Sequence, residues 1–169
     1  MRIAHFQAFA EYRLFVITDR SDYMIDEPCF TEDSCRRGYL VHRPNIVYHN
    51  IWNEHWEFTL SIDLCDSAPS EFEDAERVIH LPIILSASMM LHGSSDWQES
   101  SFRKLPIGPG RYSLFSKAWN LGAEASSQNE ESLNDANFLN RPDVERYEWI
   151  ICPMVDDAPR VLRGREFLY

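Results

Sequence analysis

Carboxylates, histidines and cysteines are the side chains with which this 169-residue chain could do chemistry, and their spacing decides which chemistry. The acids come in two runs. Asp63, Asp66, Glu71, Glu73, Asp74 and Glu76 cluster at one strand end and the loop after it, with no basic residue between 66 and 76. Glu124, Glu130, Glu131 and Asp135 form the second run. Carboxylates spaced like phosphates can occupy the basic cleft of a polyphosphate-binding protein, and the encounter would be steered by opposite fields that salt weakens. The plainer reading is that each run is a solvated loop face. Calcium is another use for the acids of 63–76, as at the end of a C2-like sandwich that binds calcium and lipid. It wants about six to eight oxygens from closely spaced ligands, and this stretch lacks the EF-hand spacing and its turn glycine.

The six histidines invite a metal. His49 and His55, with Glu57 on the same strand face as His55, could supply three ligands to a metal-dependent β-fold enzyme. A cupin would want an H-x-H pair set among glycines, and neither is present. Cys29 and Cys35 are too far apart for a zinc knuckle, and Cys65 and Cys152 sit in strand-like runs as small buried hydrophobes. A nucleophilic enzyme needs Ser or Cys beside His with an orienting acid. No G-x-S-x-G occurs, Ser94-Ser95 after Gly93 reads as turn chemistry, and Gly108-Pro109-Gly110 precedes a strand rather than the helix a phosphate loop requires. No catalytic residue and no cofactor follow from these patterns.

The elements that must position these groups are mostly strands. Residues 55–65 (HWEFTLSIDLC) alternate with period two: Trp56, Phe58, Leu60, Ile62 and Leu64 point toward a core, and His55, Glu57, Thr59, Ser61 and Asp63 point away from it. Residues 2–9, 12–18, 39–43, 46–48, 77–85, 87–91, 145–153 and 160–169 read as further strands. Pro44 splits the third of these from the fourth, and Pro82 marks an edge or a bulge. Residues 100–105 and 111–119 flank the Pro/Gly turn 106–110 and read as a β-hairpin. Thr31 is an N-cap for a short helix ending at Gly38. Residues 121–144 read as a long acidic surface loop. Ten or so strands, one short helix and a 13% aromatic content predict a mainly β protein, an antiparallel β-sandwich of C2-like or jelly-roll-like form, with a closed barrel as the alternative. Trp52 and Trp97 fall outside the alternation. Such residues either anchor an interface or cap the ends of a sandwich core.

A chain of this length fits one domain over 1–169 that buries enough surface to fold without disulfide or metal. The net charge of −11 argues against direct nucleic-acid binding and favours a basic protein partner. No signal peptide or membrane-spanning run is visible, so a reducing cytoplasm with free thiols is expected.

The order of these segments resembles the competence protein J (ComJ) family. The likeness is carried by Tyr12-Arg13-Leu14-Phe15-Val16 with Asp19; by Phe30-Thr31-Glu32-Asp33 with Arg37-Gly38-Tyr39; by the alternating strand 58–64; by Arg77-Val78-Ile79-His80-Leu81-Pro82-Ile83; and by Leu105-Pro106 with Gly108, Gly110 and Arg111-Tyr112-Ser113-Leu114. It covers residues 12–120. The acidic loop after Trp119 and the strands from Glu145 onward depart from the family pattern. The resemblance implies a β-sandwich without cofactor that binds a protein, as an inhibitor or immunity-like partner of a nuclease or toxin. It brings no catalytic motif.

Overall fold

Among the described residues, eleven strands and one short α-helix follow in the order β1 (Arg2–Ala8), β2 (Leu14–Thr18), α1 (Glu32–Arg37), β3 (Tyr39–Arg43), β4 (Ile46–Asn50), β5 (Phe58–Leu64), β6 (Arg77–Leu85), β7 (Met90–His92), β8 (Arg103–Lys104), β9 (Gly110–Trp119), β10 (Arg146–Pro153) and β11 (Arg160–Arg163). The computed structural model describes residues 1–8, 13–20, 30–52, 57–72, 74–93, 102–123 and 138–164. The strands form a six-stranded sheet, β1-β5-β10-β9-β6-β11, and a five-stranded sheet, β3-β4-β2-β7-β8.

The two sheets face each other across one core. Phe58, Leu60 and Ile62 of β5 contribute to it from the first sheet, with Leu81 of β6 and Trp149 of β10, all 0% exposed. Phe15, Ile17 and Val47 contribute from the second. The period-two pattern of β5 explains this placement, because a strand presents alternate residues to one side. Trp149 sits at the centre, with the Phe15 ring edge-on at 5.8 Å and the His49 ring at 5.5 Å. The predicted mainly β sandwich is the architecture found, with one short α-helix among the described residues. One pair departs from the antiparallel rule: β10 lies parallel to β5, Arg146 opposite Thr59 and Ile151 opposite Leu64.

Two local readings need comment. The expected hairpin over 100–119 is not formed. β8 pairs with β7 in the five-stranded sheet, while β9 pairs with β6 and β10 in the other. The Pro/Gly segment therefore carries the chain from one sheet to the other, and Ile107 within it is buried in the core. Turn residues report that the chain changes direction, not which strand receives it. Pro82 behaves as an edge residue although β6 lies inside its sheet. β11 pairs with β6 only as far as His80, and two residues beyond Pro82 the Ile84 N–H donates to the Pro44 carbonyl on that same side at 2.8 Å. The N–H that proline lacks thus falls in the gap between these partners.

The helix follows its sequence signals. Thr31 Oγ1 accepts from the Ser34 N–H, Ser34 Oγ accepts from the Thr31 N–H, and Gly38 closes the helix at φ 70°. Only glycine takes that conformation without steric cost. Replacing Gly38 by alanine is expected to cost about 1 kcal/mol, read as a lower urea midpoint at unchanged m-value.

Candidate functional site

The acids of 63–76 do not form a bare negative cluster. Asp63, at the outward-facing end of β5, accepts from the Arg2 guanidinium at 2.8 Å, and this bond is the main reason that the Arg2 pKa is raised. Arg2 also approaches Glu148 of β10 at 3.6 Å. Lys117 of β9 lies 3.7 Å from the other Glu148 oxygen and 3.3 Å from Asp74. Charges of alternating sign therefore run across the outer sheet face: Asp63, Arg2, Glu148, Lys117, Asp74. Strand pairing sets their spacing, since Ser61 and Lys117 both stand opposite Glu148 in register. Each exposed pair is worth at most about 1 kcal/mol.

Glu76 is also engaged: its Oε1 accepts the Asn120 N–H at 2.6 Å. Asp66 and Glu71 are exposed. Glu73 lies outside the described residues, as do Glu124, Glu130, Glu131 and Asp135 of the second acidic run. Of the first run, then, Asp63, Asp74 and Glu76 tie strands and turns together, and Asp66 and Glu71 are presented outward. Most of the loop over 121–144 lies outside the described residues. Its last part returns as a short 3-10 turn, Phe138–Asn140, ahead of β10.

His49, offered above as a metal ligand, is a core residue. It is 2% exposed, shares a 2.8 Å hydrogen bond between Nε2 and Ser116 Oγ of the facing sheet, and packs edge-on to the Tyr147 ring and tilted against the Trp149 ring. Burial, helped by the positive charge of Arg77, lowers its pKa to about 3. Glu57 instead accepts from the Gln7 amide. His55 lies outside the described residues. Among the described residues no group of three or more His, Cys, Asp or Glu side chains comes together to hold a metal.

Sequence reasoning missed two features. The first is a set of serine–histidine pairs between strands: His5 Nδ1 to Ser61 Oγ at 2.7 Å, His49 to Ser116 at 2.8 Å and His80 Nε2 to Ser113 Oγ at 2.8 Å. A serine nucleophile must reach a substrate, yet Ser113 and Ser116 are 0% and 2% exposed. His80 Nδ1 faces the Ala158 carbonyl at 3.1 Å, and the Val155 N–H donates to Ser113 Oγ at 3.1 Å, so residues 154–159 seal that pair. These two pairs are fasteners between strands, whereas His5 is exposed and the His5–Ser61 pair opens onto the outer face of the six-stranded sheet.

The second is Glu145, fully buried at the entry to β10. Its carboxylate accepts from the Trp52 N–H at 3.0 Å, the Tyr147 hydroxyl at 2.5 Å and the Gly122 N–H at 3.2 Å. Burial first, and then the Glu145 charge, push the Tyr147 phenol well above its ordinary range. Trp52 is half-buried at this end of the sandwich, its backbone N–H held by Glu145. Trp97 lies outside the described residues. A lone acid before a strand gives no sequence signal of such a role.

A cleft of about 430 Å3 opens on the outer face of the six-stranded sheet between β1, β5, β10 and the 139–142 segment. Arg2, Arg146, Asp74 and Glu148 line it, so both signs of charge face the opening. No helix among the described residues is long and apolar enough to cross a membrane.

No protein-family model matches the sequence, and no curated protein matches it closely enough to count as a relative. Solved structures do. ComJ from Bacillus subtilis, described as an inhibitor of the DNA-degrading activity of NucA, superposes with a TM-score of 0.60 at 11% identity, over 91% of this chain and 98% of its own. A protein described as crocagin biosynthetic gene J superposes with a TM-score of 0.53 at 20% identity, over 89% of this chain and 96% of its own. At these identities the likeness establishes a shared fold.

Proposed function

We propose that this chain is a non-enzymatic, cytoplasmic binding protein, a single β-sandwich domain that restrains a nuclease or nuclease-like toxin. The observation that carries the reading is the likeness to ComJ, an inhibitor of a nuclease, over nearly the whole of both chains. Fold alone hosts many functions, so two further features support it. The serine–histidine pairs at Ser113 and Ser116 are sealed from substrate. The net charge of −11 suits a basic partner, as the cleft of a DNA-degrading enzyme is. The acidic segment 63–76 is the proposed contact, with Asp66 and Glu71 its outward charges.

The test is a DNA-degradation assay with any nuclease whose gene neighbours that of this chain. Addition of the chain at equal concentration is expected to suppress cleavage at low salt. Suppression should weaken about tenfold or more as ionic strength rises toward ~0.5 M, because exposed charges are screened within a few ångströms there. A neighbouring nuclease that keeps its full rate under excess chain at low salt would overturn the function. The double substitution Asp66→Lys with Glu71→Lys tests the surface separately. It should slow association about tenfold while leaving circular dichroism unchanged. Wild-type inhibition by that variant would move the contact elsewhere.

A further inference from the structure

Cys65 and Cys152 are 87 positions apart, and strand pairing makes them neighbours. β5 and β10 run parallel, with Ile150 opposite Asp63 and Ile151 opposite Leu64. One step further along both strands Cys152 stands opposite Cys65, and the Cys65 N–H still donates to the Ile151 carbonyl at 2.8 Å. The second bond of that rung would need an N–H at residue 153, which is proline. The ladder therefore stops at Leu64 although the two backbones remain side by side. Adjacent strands lie about 4.8 Å apart, within the ~4.4–6.8 Å Cα separation that a disulfide spans.

Side-chain direction agrees. Asp63 on β5 and Glu148 on β10 share Arg2 on the outer face of the sheet. Cys65 and Cys152 follow them at even spacing, so both thiols leave the sheet on that same face. Both are free thiols, Cys65 half-buried and Cys152 buried. Burial, and then proximity to Cys65, push the Cys152 thiol up.

We propose that Cys65 and Cys152 are a redox pair that closes into a cross-strand disulfide when a low-molecular-weight disulfide such as oxidised glutathione is present. The more accessible Cys65 reacts first. Its thiolate attacks one sulfur of oxidised glutathione, the sulfur–sulfur bond of the reagent breaks, and one glutathione thiolate leaves. Cys152 then gives its proton to water and its sulfur attacks the Cys65 sulfur, which expels the second glutathione thiolate. The protein loses two electrons and two protons, and the reagent becomes two thiols. The closed bond staples the exit of β5, where the acidic segment begins, to the end of β10. This holds whether or not the protein binds a nuclease.

The experiment equilibrates the folded, full-length protein across ratios of oxidised to reduced glutathione, blocks remaining thiols with iodoacetamide and maps the peptides by mass spectrometry. One linkage is expected, Cys65 to Cys152, its joined peptides about 2 Da lighter than the reduced pair, formed without loss of the circular dichroism of the fold. Cys152→Ala should stall as a Cys65–glutathione adduct, and Cys65→Ser should leave Cys152 a thiol. If Cys152→Ala does not fold, the wild-type map and Cys65→Ser decide. The proposal is overturned if both thiols stay reduced at every ratio, if wild-type Cys65 stops at the glutathione adduct, or if either cysteine links to Cys29 or Cys35 instead.

Discussion

Replacing Trp149 by alanine is expected to destabilise the protein by about 3–5 kcal/mol, the range for removing a large aromatic from a closed core. Trp149 is fully buried in the middle of β10, and β10 lies between β5 and β9 in the larger sheet. Its ring touches both layers: Phe15 of the facing sheet packs edge-on at 5.8 Å, and Phe15 in turn packs edge-on against Phe58 at 6.0 Å. Sheets held by hydrogen bonds on both sides cannot close around such a hole, so the cavity cost adds to the lost burial. Since a domain of this kind has only ~5–15 kcal/mol of stability in all, the loss is a large share of the total. Trp149→Phe should cost much less. It keeps an aromatic ring between Phe15 and His49, and it removes an indole N–H that is buried without a hydrogen-bond partner among the described residues. The check is urea unfolding followed by circular dichroism. A midpoint for Trp149→Ala within about 1 kcal/mol of wild type would mean that the two sheets do not depend on this contact.

That core was largely legible in the sequence, because a strand buried on one face repeats every second residue. Phe58, Leu60 and Ile62 declare their side without any knowledge of the partner strand. So do the cap residues Thr31 and Gly38, whose roles are settled within a few positions. What stayed hidden depends on residues far apart in the chain. The parallel β5–β10 pair joins segments separated by four other strands, and nothing local to either announces direction. The 106–110 turn looks like a hairpin because its prolines and glycines record bending, while the sheet that receives β9 is chosen by long-range packing. The candidate site divides in the same way. Its acids were visible as a run, but Asp63 meets Arg2 across 61 positions, Glu76 meets Asn120 across 44, and Glu145 meets Trp52 across 93. Charge patterning names the residues that carry charge. Only the fold decides which of them are already neutralised and which remain to meet a partner.

His49 makes the second large effect one of pH. In the folded protein its pKa is lowered to about 3, by burial first and then by the positive charge of Arg77. In the unfolded chain it titrates near 6.5. Between these values the unfolded state binds a proton that the folded state refuses, so stability rises with pH across the window. The contribution is whole above pH ~6.5 and is lost as pH falls toward 3. It amounts to about 1.4 kcal/mol per pH unit and some 4–5 kcal/mol over the full span. Geometry explains why the proton is refused. Nε2 is committed to Ser116, and Nδ1 is buried with no acceptor among the described residues. The neighbouring Tyr147 offers a ring and no charge. His80 is lowered in the same direction, again by burial first, so it adds to the slope. Between pH 6.5 and 5 most carboxylates stay ionised, which isolates the histidines. Wild type is expected to lose about 2 kcal/mol across that interval. His49→Gln, which can keep a hydrogen bond to Ser116, should lose much less, with the His80 share remaining. Urea unfolding at the two pH values reads the difference directly. If His49→Gln shows the wild-type slope, or if the His49 ring protons titrate near 6.5 by NMR in the folded protein, then the imidazole is not sealed between the sheets as described.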